Sequence, residues 1–522
     1  MKEIELKLLL VPGEAAALRR RITTQASQRA RTRRLLTIYL DTHEGGLAAA
    51  GIALRLRREG RAWTQTVKTA RSMRAGLSET LEIDTPAPGG RVDIAAIPDE
   101  RARAAVKAAV ADLPVAPVFE TDMSRATWEI SHNGARVEIA LDKGEVRAGD
   151  RSEALEELEL ELKEGTPEVL FDLARGLFRS GPLRFSRLNK AARGRRLSAG
   201  EAAVPPALPR NAEAPSLKRS MTAEEAGREI LTECLAQVTA NVEATAASDD
   251  SEGPHQLRVG LRRLRAALAL LRPAFDGPRH RALETEARWL AGEAGRVRDL
   301  DVAIEDLVAP AAHAAPCEQG FAPLEAALTR RLEAERLRLR ETLSGQRATA
   351  FLLDFAEYVA LRGWLDPADH TQTMRLATPY RALAEAALIR GDRKAARRAG
   401  QGKGRGGIEA LDIEARHELR KSLKALRYTL EFALPLWSEK KSRPLVKALK
   451  TLQTLFGALN DAALAEHLLL STDAPGGDDP AAMRAAGRLI GAGNAMAERD
   501  WERAQMLWHG FAAVPRPWVK AR

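Results

Sequence analysis

In MKEIELKLLL, at the start of the chain, Glu3, Glu5 and Lys7 alternate with Ile4, Leu6 and Leu8. Successive side chains of a strand point to opposite faces, so this segment predicts a strand with one apolar and one ionic face. The same period of two runs through LLTIYLDT, IALRLRR, WTQTVKT, SETLEID, ATWEI, ARVEIALD and EELELELK, all before residue 198. GG at 45–46, EG at 59–60, HNG at 132–134 and DKG at 142–144 read as turns between them. Three stretches, 14–22, 98–111 and 169–178, have helical spacing. Many short strands with few helices predict a barrel or curled antiparallel sheet.

The pattern then changes. SAGEAAVPPALPRNAEAPSL, residues 198–217, is rich in Ala and Pro and reads as a linker. From about residue 222 the spacing becomes helical, broken by a basic, Gly-rich stretch at 390–407 that reads as a loop. HQLRVGLRRLR from His255 and HELRKSLKALR from His417 are 162 positions apart. The same offset relates Pro273 to Pro435, Phe275 to Trp437, Gly295 to Gly457 and Asp299 to Asp461. A constant offset over this span predicts two similar helical bundles, at about 222–380 and 408–515. The expected organisation is an α+β multidomain chain: a strand-rich domain at 1–197, the linker, and an all-α domain at 218–515.

The ionic faces carry the first chemical signal. Arg55 and Arg57 share one face, as do Thr64, Thr66 and Lys68, Glu138 and Asp142, and Glu157, Glu159 and Glu161. A merely wetted face mixes polar types, whereas here some strands are basic and others acidic. Neighbouring glutamates repel unless cations neutralise them, and gathered carboxylates suit hard divalent ions such as Mg²⁺ or Mn²⁺. Gathered Arg and Lys suit phosphate oxygens. Closing the sheet would put both sets inside, with the apolar faces outward under helices.

E-x-E-x-K at 3–7 resembles the signature of the CYTH family, the triphosphate tunnel metalloenzymes. YLDT at 39–42, LRLR at 54–57, TVK at 66–68, VEIALDKG at 137–144, ELELEL at 157–162 and LNKAARG at 188–194 follow in family order. The resemblance covers about residues 1–197 and implies an eight-stranded antiparallel tunnel whose members cleave triphosphates, cyclise ATP or act on thiamine triphosphate. Carried over by position, Glu3, Glu5, Glu159 and Glu161 would hold metal, with Glu138 and Asp142 holding a second ion or orienting water. Lys7, Arg55, Arg57, Lys68, Arg125 and Lys190 would bind the triphosphate, and Glu5, Lys7, Arg55, Arg57 and Lys68 would carry the reaction. One departure stands out. Thr80 occupies the position, two before Glu82, where relatives carry an Arg; Arg74 is a candidate substitute.

In the helical half, His255, Arg258, Arg262 and Arg265 fall on one helix face, and His417, Arg420, Lys424 and Arg427 repeat them. Cations at one-turn spacing repel unless an anion bridges them. With only 4 Tyr in the chain, base stacking is a poor fit, so a base-free polyanion is favoured over nucleic acid. H-x-L-R-x-x-L-x-x-L-R followed by RDLD (298–301) or LND (459–461) resembles the CHAD domain, over about 218–510. The resemblance implies binding of inorganic polyphosphate by these eight residues, with Arg263, Lys421 and Lys450 as possible additions. Asp299 and Asp461 would brace arginines or cap helices.

At 522 residues and 45% apolar the chain can build several cores. No apolar run is long enough for a membrane span, and Glu3 and Glu5 interrupt any signal-peptide core. Two distant cysteines, Cys234 and Cys317, fit a reduced cytoplasm, and a net charge of +10 favours anionic partners. The expected function is a cytoplasmic, metal-dependent inorganic triphosphatase with an appended polyphosphate-binding domain, active at polyphosphate granules. The alternatives are a non-catalytic polyphosphate-binding granule protein, or adenylate cyclase, thiamine triphosphatase or nucleoside triphosphatase activity in the same tunnel.

Overall fold

The computed structural model describes residues 2–11, 13–26, 28–179, 183–401, 406–470 and 474–519, without the side chains of residues 2, 70, 71, 458, 460–462 and 464. The alternating segments form eight strands: β1 (Lys2–Leu9), β2 (Arg31–Thr42), β3 (Ala53–Glu59), β4 (Ala62–Arg74), β5 (Leu77–Pro86), β6 (Val115–His132), β7 (Ala135–Ala148) and β8 (Arg151–Glu164). They close into an antiparallel barrel in the order β1-β5-β4-β3-β2-β6-β7-β8. Asn133 and Gly134, both at positive φ, make the two-residue turn between β6 and β7, as the HNG signal predicts. DKG does not turn: residues 142–144 lie inside β7, and the chain reverses at Gly149–Asp150. Gly144 is needed there for another reason, since a Cβ would collide with the β6 backbone at Asp122 and Met123.

This barrel is inverted. Its ionic residues point inward, and Leu6, Leu54, Leu56, Val67, Val137, Ile139, Leu158 and Leu160 are buried on the outside. Helices cover that surface: α1 (Glu14–Gln25), α2 (Gly46–Ala49), α3 (Glu100–Val110) and α4 (Glu168–Leu177), the longer three at the three predicted stretches. α3 starts on an Asp99 cap and buries Ala102, Val106 and Val110 against Leu54, Leu56 and Val67. α5 (Lys190–Ser198) lies across one end of the barrel. Its Ala191 and Leu197 pack with Leu9, Tyr39, Phe119, Val146 and Leu155.

Contacts divide the chain into two units, Met1–Leu208 with Leu343–Gly363, and Pro209–Thr342 with Trp364–Arg522. The first boundary falls inside the predicted linker. The excursion 343–363 was expected in the helical half, yet its helix clusters with the barrel unit. Arg175 of α4 explains this, pairing with Asp354 at 2.8 Å and with Glu357.

The second unit is helical. It contains α6 (Ala223–Ala247), α7 (Glu252–Phe275), α8 (Pro278–Val302), α9 (Ala309–Ala314) and α10 (Phe321–Ser344), and α11 (Gln346–Ala360) is the excursion just described. α12 (Gln372–Ala377), α13 (Tyr380–Arg398), α14 (Ile413–Ala433), α15 (Glu439–Leu469) and α16 (Pro480–Ala513) follow. The 162-residue offset maps α6, α7, α8 and α10 onto α13, α14, α15 and α16. Two corrections follow. Residues 390–398 are the end of α13 rather than a loop, because Ala, Arg and Lys are strong helix formers whatever their charge. The second repeat therefore begins near 380, not 408. No helix among the described residues is long and apolar enough to cross a membrane.

Candidate active site and candidate anion surface

Strand register decides which ionic residues meet. Glu5 lies opposite Glu161 across β1 and β8, and Glu161 lies opposite Glu138 across β8 and β7. Three carboxylates thus form one transverse row, with Glu3 two residues along β1. Burial outweighs the nearby cations at two of these carboxylates. Burial, with Glu5 and Glu82 nearby, pushes the Glu3 carboxyl up to about 7 despite Lys68. Burial, aided by Glu138 and Glu5, raises Glu161 against the pull of Lys163. The carboxylates are turned toward lysines: Glu5 to Lys7 at 2.8 Å and Glu161 to Lys163 at 2.6 Å. Among the described residues no three acidic, His or Cys side chains converge on one point. The donor set is nonetheless all carboxylate oxygen and lines one cavity, which suits a hard divalent cation.

One step along the barrel the cations gather. Lys7 reaches Glu159 at 2.7 Å, Arg125 grips Asp142 through two bonds of 2.7 and 2.6 Å, and Lys190 reaches Asp142 at 2.8 Å. Arg125 and Lys190 both also contact Glu159, at 2.6 and 2.7 Å. Burial opposes charge on Glu159, but Lys190, Lys7 and Arg125 hold it well below the usual carboxylate range. Glu159 and Asp142, expected as metal ligands, therefore sit in a cationic cluster rather than in the carboxylate row. Lys7, Arg125 and Lys190 pair with these two carboxylates.

On the opposite wall Lys68 bridges Glu3 and Glu82 at 2.7 and 2.6 Å, and Arg55 pairs with Glu82 at 2.6 Å. Arg57 differs: its nearest bond is 3.5 Å to Thr37 Oγ1. Burial, together with Arg55 and Arg125, pushes its pKa down to about 10. All twelve expected tunnel residues except Asp142 line one cavity of about 1200 Å³, and Asp142 is bonded to two of the lining cations.

Three contributors were missed by sequence reasoning. Glu82 pairs two phosphate-binding candidates, which only the Lys68–Glu82 register reveals. Glu157 is fully buried and anchors Lys190 at 2.9 Å, with Ser186 and Arg193 beside it. Tyr39 lines the cavity and stacks on Phe119 at 4.5 Å; burial opposes its ionisation, but Arg55, Arg57 and Lys190 lower its pKa. Thr80 faces Glu3 across β1 and β5. Arg74 pairs in register with Leu77, whose face is the outer one, so it does not replace the arginine missing at Thr80.

In the helical unit the two stripes converge where α7 packs on α14. Lys424 is pushed down to about 7 by burial and by Arg420, Arg262, Arg258 and Arg427. Five of the eight expected residues thus share one field. Asp299 braces Arg258 at 2.6 Å, as expected, while the side chain of Asp461 lies outside the described residues. Burial and Arg298 lower the pKa of His255; burial and Lys421 lower that of His417. Arg265 turns away, feeling Arg288 and Glu284 instead. Arg263 is no surface ligand. It is buried, donates to Gln237 Oε1 at 2.8 Å and to the Glu213 carbonyl at 3.1 Å, and lies 5.3 Å from the Phe432 ring centroid. Lys421 is exposed and paired with Glu418, and Lys450 lines a separate groove between α15 and α16.

Residues 1–194 match the family model of the CYTH domain, and residues 229–470 that of the CHAD domain. An inorganic triphosphatase of Haemophilus influenzae is 29% identical over 199 residues, 37% of this chain and 54% of that protein. The chain spans about half the length of the curated relative it matches. Among solved structures, the CHAD domain of Ricinus communis is 27% identical, covering 59% of this chain and 98% of that one, with a TM-score of 0.49. A Hippeastrum protein described as having a dominant triphosphatase activity is 22% identical, covering 38% of this chain and 96% of that one, with a TM-score of 0.30.

Proposed function

The chain is a CYTH domain followed by a CHAD domain, and from that premise we propose that its tunnel hydrolyses inorganic triphosphate while its helical unit binds inorganic polyphosphate. The observation that carries the reading is the sorted tunnel wall, with the carboxylate row of Glu5, Glu161 and Glu138 beside the cationic groups Lys7, Arg55, Arg57, Lys68, Arg125 and Lys190.

A Mg²⁺ or Mn²⁺ ion held by Glu3, Glu5, Glu138 and Glu161 would neutralise phosphate oxygens and activate water. The chain's own cations do the rest. Arg57 makes no bond to a carboxylate among the described residues and is the first to meet an incoming phosphate. Lys7, Lys68, Arg55, Arg125 and Lys190 exchange carboxylate partners for phosphoryl oxygens, which fixes the chain along the barrel axis. Glu159, Asp142 and Glu82 keep those cations in position when substrate leaves. In the helical unit, Arg258, Arg262, Arg420, Lys424 and Arg427 bind the polyanion, which relieves their mutual repulsion. The chain acts in the cytoplasm, where polyphosphate granules present both anions.

Thr80 favours a second reading, a tunnel that holds phosphate chains without turnover, because one basic contact is absent beside Glu3. Phosphate release from triphosphate, ATP and thiamine triphosphate, with Mg²⁺ or Mn²⁺, separates the readings. Metal-dependent release from triphosphate that Glu5→Ala abolishes supports the hydrolase. No release from any substrate leaves the binding protein, and preference for ATP or thiamine triphosphate moves the reading to the nucleotide or thiamine alternatives.

A further inference from the structure

α5 packs across one end of the barrel. In an antiparallel barrel the other end gathers the starts of β1, β2, β4 and β7 and the ends of β3, β5, β6 and β8. There Glu138 and Glu161 of the carboxylate row, with Glu3 at the start of β1, occupy one side. The other side is the start of β2, where the sequence RARTRR places Arg29, Arg31, Arg33 and Arg34 in six residues. Register sorts them. Arg33 lies opposite Arg125 and Arg31 opposite Thr127, so both share the inward face; Arg34 pairs outward with Asp122 at 2.6 Å.

A second cavity of about 210 Å³ opens at this rim. Arg29, Arg31 and Arg33 line it, and it shares Arg57, Arg125 and Glu138 with the main cavity. These three residues form a neck between the two spaces. Three carboxylates also face the rim cavity. Glu59 pairs with Arg33, Glu129 lies opposite Glu138 across β6 and β7, and Glu138 belongs to the metal row. Arg125 is already held by Asp142 and Glu159, and the other four arginines against three glutamates leave a positive balance. Arg31 has no carboxylate partner among the described residues. The neck residue Arg57 lacks one too, and burial, with Arg55 and Arg125 beside it, depresses its pKa. A wall of this kind attracts an anion that continues through the neck rather than stopping at it.

We propose that Arg31 and Arg33, joined to the tunnel through Arg57, form an added phosphate subsite, so that the tunnel accepts linear polyphosphates longer than triphosphate. The proposal rests on the tunnel reading above and extends its substrate class. A phosphoryl chain seated on Lys7, Arg55 and Lys68 would pass the carboxylate row and present its fourth and later groups to the rim arginines. These are exposed, so each contact is worth less than one inside the barrel, and added salt screens it.

The test compares kcat/KM for tetrapolyphosphate with that for triphosphate, in the full chain and in Arg31→Gln/Arg33→Gln. Both side chains are exposed and their one ion pair is a surface pair, so the fold tolerates the change. The ratio is expected to fall about tenfold in the variant, about 1.4 kcal/mol. In wild type it should also fall with ionic strength toward the variant's value. An unchanged ratio, or an equal loss on both substrates, overturns the subsite. If wild type leaves triphosphate intact, the hydrolase reading fails on its own. The subsite is then judged by the binding of tetrapolyphosphate against triphosphate, with Arg258→Ala/Arg420→Ala added to both proteins to silence the helical surface. A preference for the longer chain that Arg31→Gln/Arg33→Gln removes supports it, and equal preference overturns it.

Discussion

Lys424 is the most exposed flank of the reading that α7 and α14 build one anion surface. Its ammonium is pushed from 10.5 down to about 7 by burial and four arginines. The shift corresponds to an upper bound of about 5 kcal/mol against the charged form, and to about 2 kcal/mol once screening at a partly exposed site is allowed for. A bound polyphosphate supplies the missing negative charge and restores the ammonium, so binding takes up a proton. The sign follows from linkage: affinity is greatest below about pH 7 and falls as pH rises above it, by up to tenfold per unit. Burial and nearby cations lower the pKa of His255 and His417 from 6.5, and any proton they take up with the polyanion adds to that of Lys424. Calorimetric titration of polyphosphate at pH 7, 8 and 9, in buffers of different ionisation enthalpy, reads both quantities. We expect Kd to rise at least about tenfold across the window, with fractional proton uptake at pH 8. Lys424→Gln should bind more weakly at pH 7 and show a shallower profile. A wild-type Kd independent of pH, with no proton exchanged, would refute the shared field and with it the convergence of the two stripes.

Other expectations follow from single contacts. Arg258→Ala with Arg420→Ala should abolish polyphosphate binding in a pull-down while leaving triphosphate hydrolysis unchanged. Arg193→Ala leaves buried Glu157 with Lys190 as its one directly bonded cation beside the Ser186 hydroxyl, and should lower stability by about 3 kcal/mol in a urea titration. Gly194→Ala drives a methyl into the Phe119 ring, which stacks on Tyr39; about 1–3 kcal/mol of stability should be lost, with a raised KM for triphosphate. Glu3 keeps its proton in the folded chain up to about pH 7, whereas the unfolded chain loses it near 4.5. Its contribution to stability is therefore full below pH 4.5 and lost as pH rises through 7, so the metal-free melting temperature should fall over that range less steeply in Glu3→Gln.

Much of this was legible in the chain. Period-two ionic faces define the inward wall of the barrel, because side-chain direction in a strand depends on sequence alone. The repeat was legible from one constant offset. What could not be read was anything set by register. That Glu159 belongs to Lys7 and Arg125 while Glu161 belongs to Glu5 and Glu138 depends on which residues face each other across β1, β7 and β8. Glu82 was in view but had no partner until β4 was laid beside β5. Gly144 resembled a turn signal, although what it answers is the close approach of β6. The end of α13 was misread because charge density was taken for disorder, when Ala, Arg and Lys all favour a helix.

The inverted barrel separates the residues that hold the fold from those that face substrate. Leu6, Leu54, Val137 and Leu160 secure the wall from outside, under α1, α3 and α4. The inner face contributes paired ions, whose replacement by other well-matched groups has little effect on stability. Inner-wall chemistry can therefore drift without loosening the shell. Substitutions on the inner wall can thus retune the chemistry of the cavity in ways that the folding of the shell scarcely registers.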